Sequence, residues 1–182
     1  MKRAILEPPA LAGVALDELK AWLAITTAHE DAALAALLAT TLEVCEAYTG
    51  AMPLQARCEE LIPAAARWQR LRTRPVQAIE AVEACAADGT RTPLPPADYE
   101  IDLDAEGGGL VRLLRAPTAP LLAVRFTAGL AAGWTALPEG LRHGMLRLAA
   151  HLFAARESDD PAALPPTTVA ALWRPWRALR LA

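Results

Sequence analysis

The stretch Glu43-Val44-Cys45-Glu46-Ala47-Tyr48-Thr49-Gly50 closes a long helical run, and the change of pattern on either side of it decides the fold. Ahead of it, Ala32 to Tyr48 is rich in alanine and leucine. Leu34, Leu37, Leu38, Leu42 and Cys45 recur there at three- and four-residue spacings, which predicts one buried stripe. Thr49-Gly50 is the stop, because glycine tolerates the left-handed turn on which helices commonly end. Further upstream, Val14, Leu16, Leu19, Trp22 and Leu23 predict a shorter helix from Val14 to Ala24, with Asp17 and Glu18 near its start where the helix dipole favours acids. Thr26 to Asp31 supplies the polar turn between the two. The alanines off the buried stripe would let another helix or another subunit approach closely, although alanine is also the strongest intrinsic helix former.

Downstream, from about Pro53 to Gly129, short apolar runs are punctuated by Pro, Gly and Asp, the pattern of strands and turns. Residues 67–72 alternate, Val76, Ile79 and Val82 follow, and Asp88-Gly89 is a hairpin signal. Tyr99–Leu103, Leu110–Leu114 and Leu122–Thr127 are further strand candidates, with Gly107-Gly108-Gly109 as a turn. Helix returns at Pro138-Glu139, and Leu141, Met145, Leu148, Leu152 and Phe153 carry its stripe to about Arg156. Beyond Ser158-Asp159-Asp160-Pro161 lies a separate-looking tail. The expected architecture is α+β but mainly helical: a bundle of two N-terminal helices (1–50) and one late helix (138–157), a small inserted antiparallel β region (53–130) and an extended C-terminal tail (162–182). All of it is read as a single domain, 1–182.

Composition narrows the classes. With 182 residues, 54% hydrophobic and 21% charged, the chain is globular and long enough to bury a core without a metal, cofactor or disulfide. A net charge of -3 gives no bulk attraction to phosphate, so any basic surface is local. Cys45, Cys58 and Cys85 form an odd set without CxxC spacing, which argues against a zinc ribbon or a disulfide framework and for synthesis in a reducing cytoplasm. No apolar run reaches, uninterrupted, the roughly 18 to 20 residues of a membrane span. Glu7-Pro8-Pro9 interrupt the N-terminal apolar stretch before a signal peptide develops.

The chemistry-bearing patterns are sparse. Ser158 is the single serine, stands beside Asp159 and Asp160, and belongs to no GxSxG elbow. His143 and His151 are eight apart, not the i, i+4 pair of a helical zinc motif. Gly107-Gly108-Gly109 lacks the Lys-Ser/Thr of a phosphate loop. Asp98, Glu100, Asp102, Asp104 and Glu106 alternate as a solvated strand face does, without the EF-hand register of a calcium loop. The chain is therefore read as non-enzymatic, with no catalytic, cofactor-binding or metal-binding residues. The tail stands apart: Leu172-Trp173-Arg174-Pro175-Trp176-Arg177 combines large aromatic area with arginine donors, the residue types enriched at interface hot spots. Such a segment either folds back on its own core or docks on a partner protein, and the second reading is preferred.

The order of these motifs resembles the head-tail connector, or adaptor, proteins of tailed phages and of phage-like gene transfer agents. The resemblance covers nearly the whole chain. It runs through Pro8-Pro9, the helix Leu16-Asp17-Glu18-Leu19-Lys20-Ala21-Trp22-Leu23 and the acidic Glu30-Asp31 to Glu46-Ala47-Tyr48-Thr49-Gly50 with Leu54-Gln55. It continues through Arg74-Pro75-Val76, Asp88-Gly89, Asp98-Tyr99-Glu100-Ile101, Val124–Gly129, the late helix to Arg156-Glu157, and the closing Leu172–Arg177. Ala51-Met52, Arg57-Cys58 and Leu130 depart from the usual residues. The resemblance implies a structural part in the neck of a phage or gene transfer agent particle, made in the bacterial cytoplasm. It implies a homo-oligomeric ring, twelvefold in most such particles, that docks on the portal protein through Leu172, Trp173, Arg174, Pro175, Trp176 and Arg177. The ring would pass DNA without sequence-specific binding, receive a stopper or tail-completion protein on its other side, and touch no membrane. Replacing both tail tryptophans should then abolish portal attachment and leave the subunit folded. Two alternatives are another neck component, a stopper or tail-terminator, and a small helical enzyme or ligand-binding module.

Overall fold

A computed structural model of the chain describes residues 3–9, 11, 13–115, 119–156 and 165–177. The chain divides into two compact units, Met1–Pro8 with Gln55–Gly129, and Pro9–Leu54 with Leu130–Ala182.

The first unit is built of strands: β1 (Arg3–Glu7), β2 (Ala56–Pro63), β3 (Gln69–Arg70), β4 (Val76–Cys85), β5 (Arg91–Pro93), β6 (Tyr99–Leu103), β7 (Gly109–Leu113) and β8 (Leu121–Ala128). They form an antiparallel five-stranded sheet in the order β1-β2-β8-β4-β5 and a three-stranded antiparallel sheet in the order β3-β7-β6. Phe126, Val124 and Leu122 alternate along β8 toward the interior, where Cys58, Ile62, Val82 and Val111 are also buried. On the opposite face of the large sheet, charged side chains pair across strands. Arg57 bridges Glu7 at 2.7 Å and Glu80 at 2.8 Å, Arg125 reaches Glu83 at 2.5 Å, and Arg91 reaches Glu59 at 2.8 Å. Gly89 turns the β4–β5 hairpin at φ 88° and Gly107 the β6–β7 hairpin at φ 78°, conformations that glycine adopts without a Cβ clash.

The second unit is helical: α1 (Gly13–Leu23), α2 (Asp31–Thr49), α3 (Glu139–Ala155) and α4 (Thr167–Trp173). Leu34, Leu38, Leu42 and Cys45 of α2 lie in one core with Ala15 and Leu19 of α1, Leu141, Met145 and Leu148 of α3, and Val169 and Trp173 of α4. The stripes read for α2 and α3 are largely the faces that meet, whereas of the stripe read for α1 only Leu19 is buried, Leu16 and Leu23 pack at the rim, and Val14 and Trp22 are exposed. Leu37, Leu152 and Phe153 sit at the rim of this core rather than inside it. Gly50 ends α2 at φ 73°, its N–H donating to the Glu46 carbonyl at 2.7 Å. Among the described residues α2 is the one helix long and apolar enough to cross a membrane, by length and composition only.

The expected predominance of helix is corrected here. Helix accounts for 39% and strand for 30% of the described residues, so the fold is α+β with two antiparallel sheets and not a mainly helical bundle. Three strands escape pattern reading. β5 has only three residues, all exposed, β1 is short and mostly exposed, and β2 carries adjacent buried glutamates: Glu59 opposite Arg125 on the charged face and Glu60 opposite Val124 on the face where alternation predicts an apolar residue. Glu60 is held there because its carboxylate accepts from the backbone N–H groups of Arg72 and Thr73, both at 2.9 Å, and from the Thr73 hydroxyl at 2.5 Å. Nor is the tail extended, since residues 167–173 form α4.

Candidate functional site

Of the six residues singled out in the tail, five lie on α4 and the 3-10 turn Arg174–Trp176 that follows it, and Arg177 is the extended residue just after that turn. α4 forms because Val169 and Trp173, four residues apart, place two apolar side chains on one helical face. Both are buried against α3. Two glycines on α3, four residues apart, make the seat. A Cβ at Gly144 would overlap the Trp173 indole, and one at Gly140 would stand 2.8 Å from the six-membered ring of Trp176. The Trp173 indole N–H donates to the Leu141 carbonyl at 3.2 Å, satisfying its one polar atom inside the core. From α2, the Tyr48 hydroxyl donates to the Ala170 carbonyl at 3.2 Å and its ring lies 6.1 Å from that of Trp173. The Arg177 guanidinium covers the outer side of Tyr48, 5.3 Å from the ring centroid.

This geometry sorts the six residues. Trp173 is 0% exposed and belongs to the core of its own subunit. Leu172 and Trp176 are half-buried at the edge of that core, while Arg174, Pro175 and Arg177 are exposed. The surface the segment offers a partner is thus Leu172, Arg174, Pro175, the outer edge of Trp176 and Arg177. The expectation that Trp173 can be removed from a folded subunit does not survive, because its ring fills the notch at Gly144. The glycine pair Gly140 and Gly144 was a signal present in the sequence and left unread.

Elsewhere the chemistry-bearing residues have local structural partners. His143 on α3 packs edge-on against Trp22 of α1, with ring centroids 5.3 Å apart. Trp22, Arg147, His151, Pro166, Thr168 and Val169 line an open groove of about 260 Å³ that pattern reading missed. Asp98, Glu100 and Asp104 each pair with an arginine: Arg115 at 3.1 Å, Arg112 at 2.5 Å, and Arg70. The Gly108 backbone N–H, then the Arg70 guanidinium, hold the Asp104 carboxyl below its ordinary range. Cys45, Cys58 and Cys85 are buried and form no disulfide with one another, and burial pushes the Cys45 thiol up to about 12 against the smaller opposing effect of a hydrogen bond with Thr49. Among the described residues no three His, Cys, Asp or Glu side chains cluster as metal ligands would. Ser158 lies outside the described residues.

No family model matches the sequence, and no curated protein matches it. Solved structures do. A chain in the neck of an empty gene transfer agent particle computed with C6 symmetry is similar over 100% of this chain and 98% of its own length, at 27% identity and a TM-score of 0.79. A chain in the virion of a native gene transfer agent particle matches with the same coverage and identity at a TM-score of 0.76. A third, in the neck of a native particle computed with C12 symmetry, covers 98% of this chain and 97% of its own at 28% identity and a TM-score of 0.74.

The two-unit α+β fold and the α4 segment seated on α3 occur here in a chain that matches particle proteins from end to end. They define a virion structural protein of the neck class. More particularly, the chain is of the neck type found in gene transfer agent particles, in agreement with the resemblance carried by its motifs.

Proposed function

We propose that this chain is the head-tail adaptor of a phage-like particle, a mechanical and non-catalytic part. In this reading it assembles as a ring, docks on the portal protein and continues the DNA channel toward a stopper or tail-completion protein. The observation that carries the reading is the likeness over the full length of both chains to proteins of gene transfer agent necks, two of them computed with sixfold and twelvefold symmetry.

The portal contact falls to the outward side of the C-terminal segment: Leu172, Arg174, Pro175, the outer edge of Trp176, and Arg177. Trp173 serves it indirectly, by fixing α4 on the Gly144 notch. Preorganisation supports this assignment. Because α4 is already folded, docking orders few backbone dihedrals, each of which would cost about 1–2 kcal/mol if the segment were free. Exposed arginines beside a tryptophan edge and a proline suit a carboxylate-bearing groove on a larger ring. The net charge of -3 favours sliding of DNA through such a ring over adhesion to it.

Electron cryomicroscopy of the protein mixed with its particle's portal tests the reading, comparing the native chain with Arg174→Glu/Arg177→Glu. Both side chains are exposed, so the variant subunit should melt close to the native one. The native chain should add a ring to the portal and the variant should not. A native ring on the tail-side protein and none on the portal would make the chain a stopper or tail-terminator instead.

A further inference from the structure

A sheet edge is a row of unsatisfied N–H and C=O groups, and proteins that remain single protect such edges with short strands, prolines or charges. The two sheets of the first unit have four outer strands: β1 and β5 in the large sheet, β3 and β6 in the small one. Two are protected. β5 has three residues and ends in Pro93, and β3 has two residues between Trp68 and Leu71 with arginines at 67, 70 and 72. The other two, β1 and β6, are protected by charge alone, Arg3 and Glu7 on the one and Glu100 and Asp102 on the other; each has five residues, contains no proline, and has no further strand beyond it among the described residues. A bulge at Leu6 ends regular β1–β2 pairing after Ile5 and does not cover the outer edge.

The same two strands concentrate apolar exposure. Ile5 and Leu6 are each 45% exposed, Ile101 47% and Leu103 43%, so four of the most exposed large hydrophobic side chains lie on two five-residue strands. Single exposed apolar residues are ordinary. Apolar pairs on outer strands that lack proline are the feature that marks strand addition from another chain.

We propose that β1 of one subunit pairs with β6 of the next copy of this chain, joining the large sheet of one protomer to the small sheet of its neighbour. The inference rests on the ring reading above and names the contact that closes the ring. A closed ring of more than two copies needs a heterologous contact, in which two different surfaces of the same chain meet. β1 and β6 are such a pair, matched in length and in apolar side chains, whereas β1 pairing with β1 would stop at a dimer. Main-chain hydrogen bonds supply the affinity, and Ile5, Leu6, Ile101 and Leu103 become buried where the strands join.

Hydrogen exchange of the full-length protein, as free subunit and as the ring assembled on its portal, reads the contact whatever the register. The amides of Arg3–Glu7 and Tyr99–Leu103 should slow together on assembly. Oxidised Ile5→Cys/Ile101→Cys rings should give a covalent ladder longer than a dimer, and neither single variant should give one. The native cysteines add no background, being buried. A ring that leaves both strands exchanging as in the free subunit overturns the pairing and leaves the adaptor reading standing. Covalent dimers from Ile5→Cys alone also overturn it, by showing like edges joined. Failure of the native chain to form any ring removes both.

Discussion

Gly144 and Trp173 are the residue pair on which the C-terminal segment depends. Gly144→Ala places a methyl group where the indole stands, and overpacking of this kind costs about 1–3 kcal/mol, so the second unit should melt earlier by calorimetry. Trp173→Ala leaves the notch empty and should cost about 3–5 kcal/mol in a denaturant titration followed by circular dichroism. At Glu60 the loss is of hydrogen bonds rather than volume. Glu60→Ala strands the buried N–H group of Thr73, and an unsatisfied buried group costs about 1–3 kcal/mol. Thiol chemistry gives a further check. With Cys45 held at about 12 by burial and all three thiols enclosed, a disulfide reagent at neutral pH should label none of them until the chain is denatured.

The paired charges across the large sheet act together at the scale of elements. Hydrogen bonds from Arg91, then Arg125, hold the Glu59 carboxyl below its ordinary 4.5, and those from the Thr127 hydroxyl and then Arg57 do the same for Glu80. A carboxyl depressed in the folded state contributes stability that is complete above its unfolded value and is lost as pH falls through the folded one. The strand unit should therefore be stable near neutrality and lose stability below about pH 4.5, with the helical unit less affected. A hydrogen-exchange series from pH 6 to pH 3, corrected for intrinsic rates, would reveal it as faster opening of β2, β4 and β8 than of α2. These rows also explain what the sequence concealed. α1, α2 and α3 were legible because apolar stripes on helices face one core, and their ends fall within a residue or two of the expected ones. β6, β7 and β8 were legible from compact or alternating apolar runs. β2 was not, because Glu59 and Glu60 are buried by virtue of partners distant in sequence: Arg91, Arg125, Arg72 and Thr73. Periodicity registers hydrophobicity and is blind to such pairing. β1 was hidden for the opposite reason, since its Ile5 and Leu6 remain exposed. The C-terminal segment was read whole as a docking tail, and its division into a buried and an outward side required the glycine seat to be seen.

For the whole molecule, two compact units make a truncation prediction specific. Removing residues 165–182 deletes Val169 and Trp173 from the helical core and leaves the strand unit's residues untouched. Limited proteolysis should then cleave α1, α2 and α3 while sparing a product that contains β2 to β8. Such a truncation would remove any portal binding through unfolding alone, so the outward substitutions at Arg174 and Arg177 are the sharper test of the proposed docking. The helical unit is also discontinuous in the chain: α1 and α2 end at Thr49, whereas α3 and α4 run from Glu139 to Trp173. During synthesis, the leucine stripe of α2 leaves the ribosome more than a hundred residues before the tryptophan that completes its core. At about 5–20 residues per second that is a wait on the order of ten seconds. The strand unit is complete by Gly129 and can fold within that interval. The nascent α1–α2 hairpin is therefore the segment most open to chaperone capture until Trp173 emerges to complete its core.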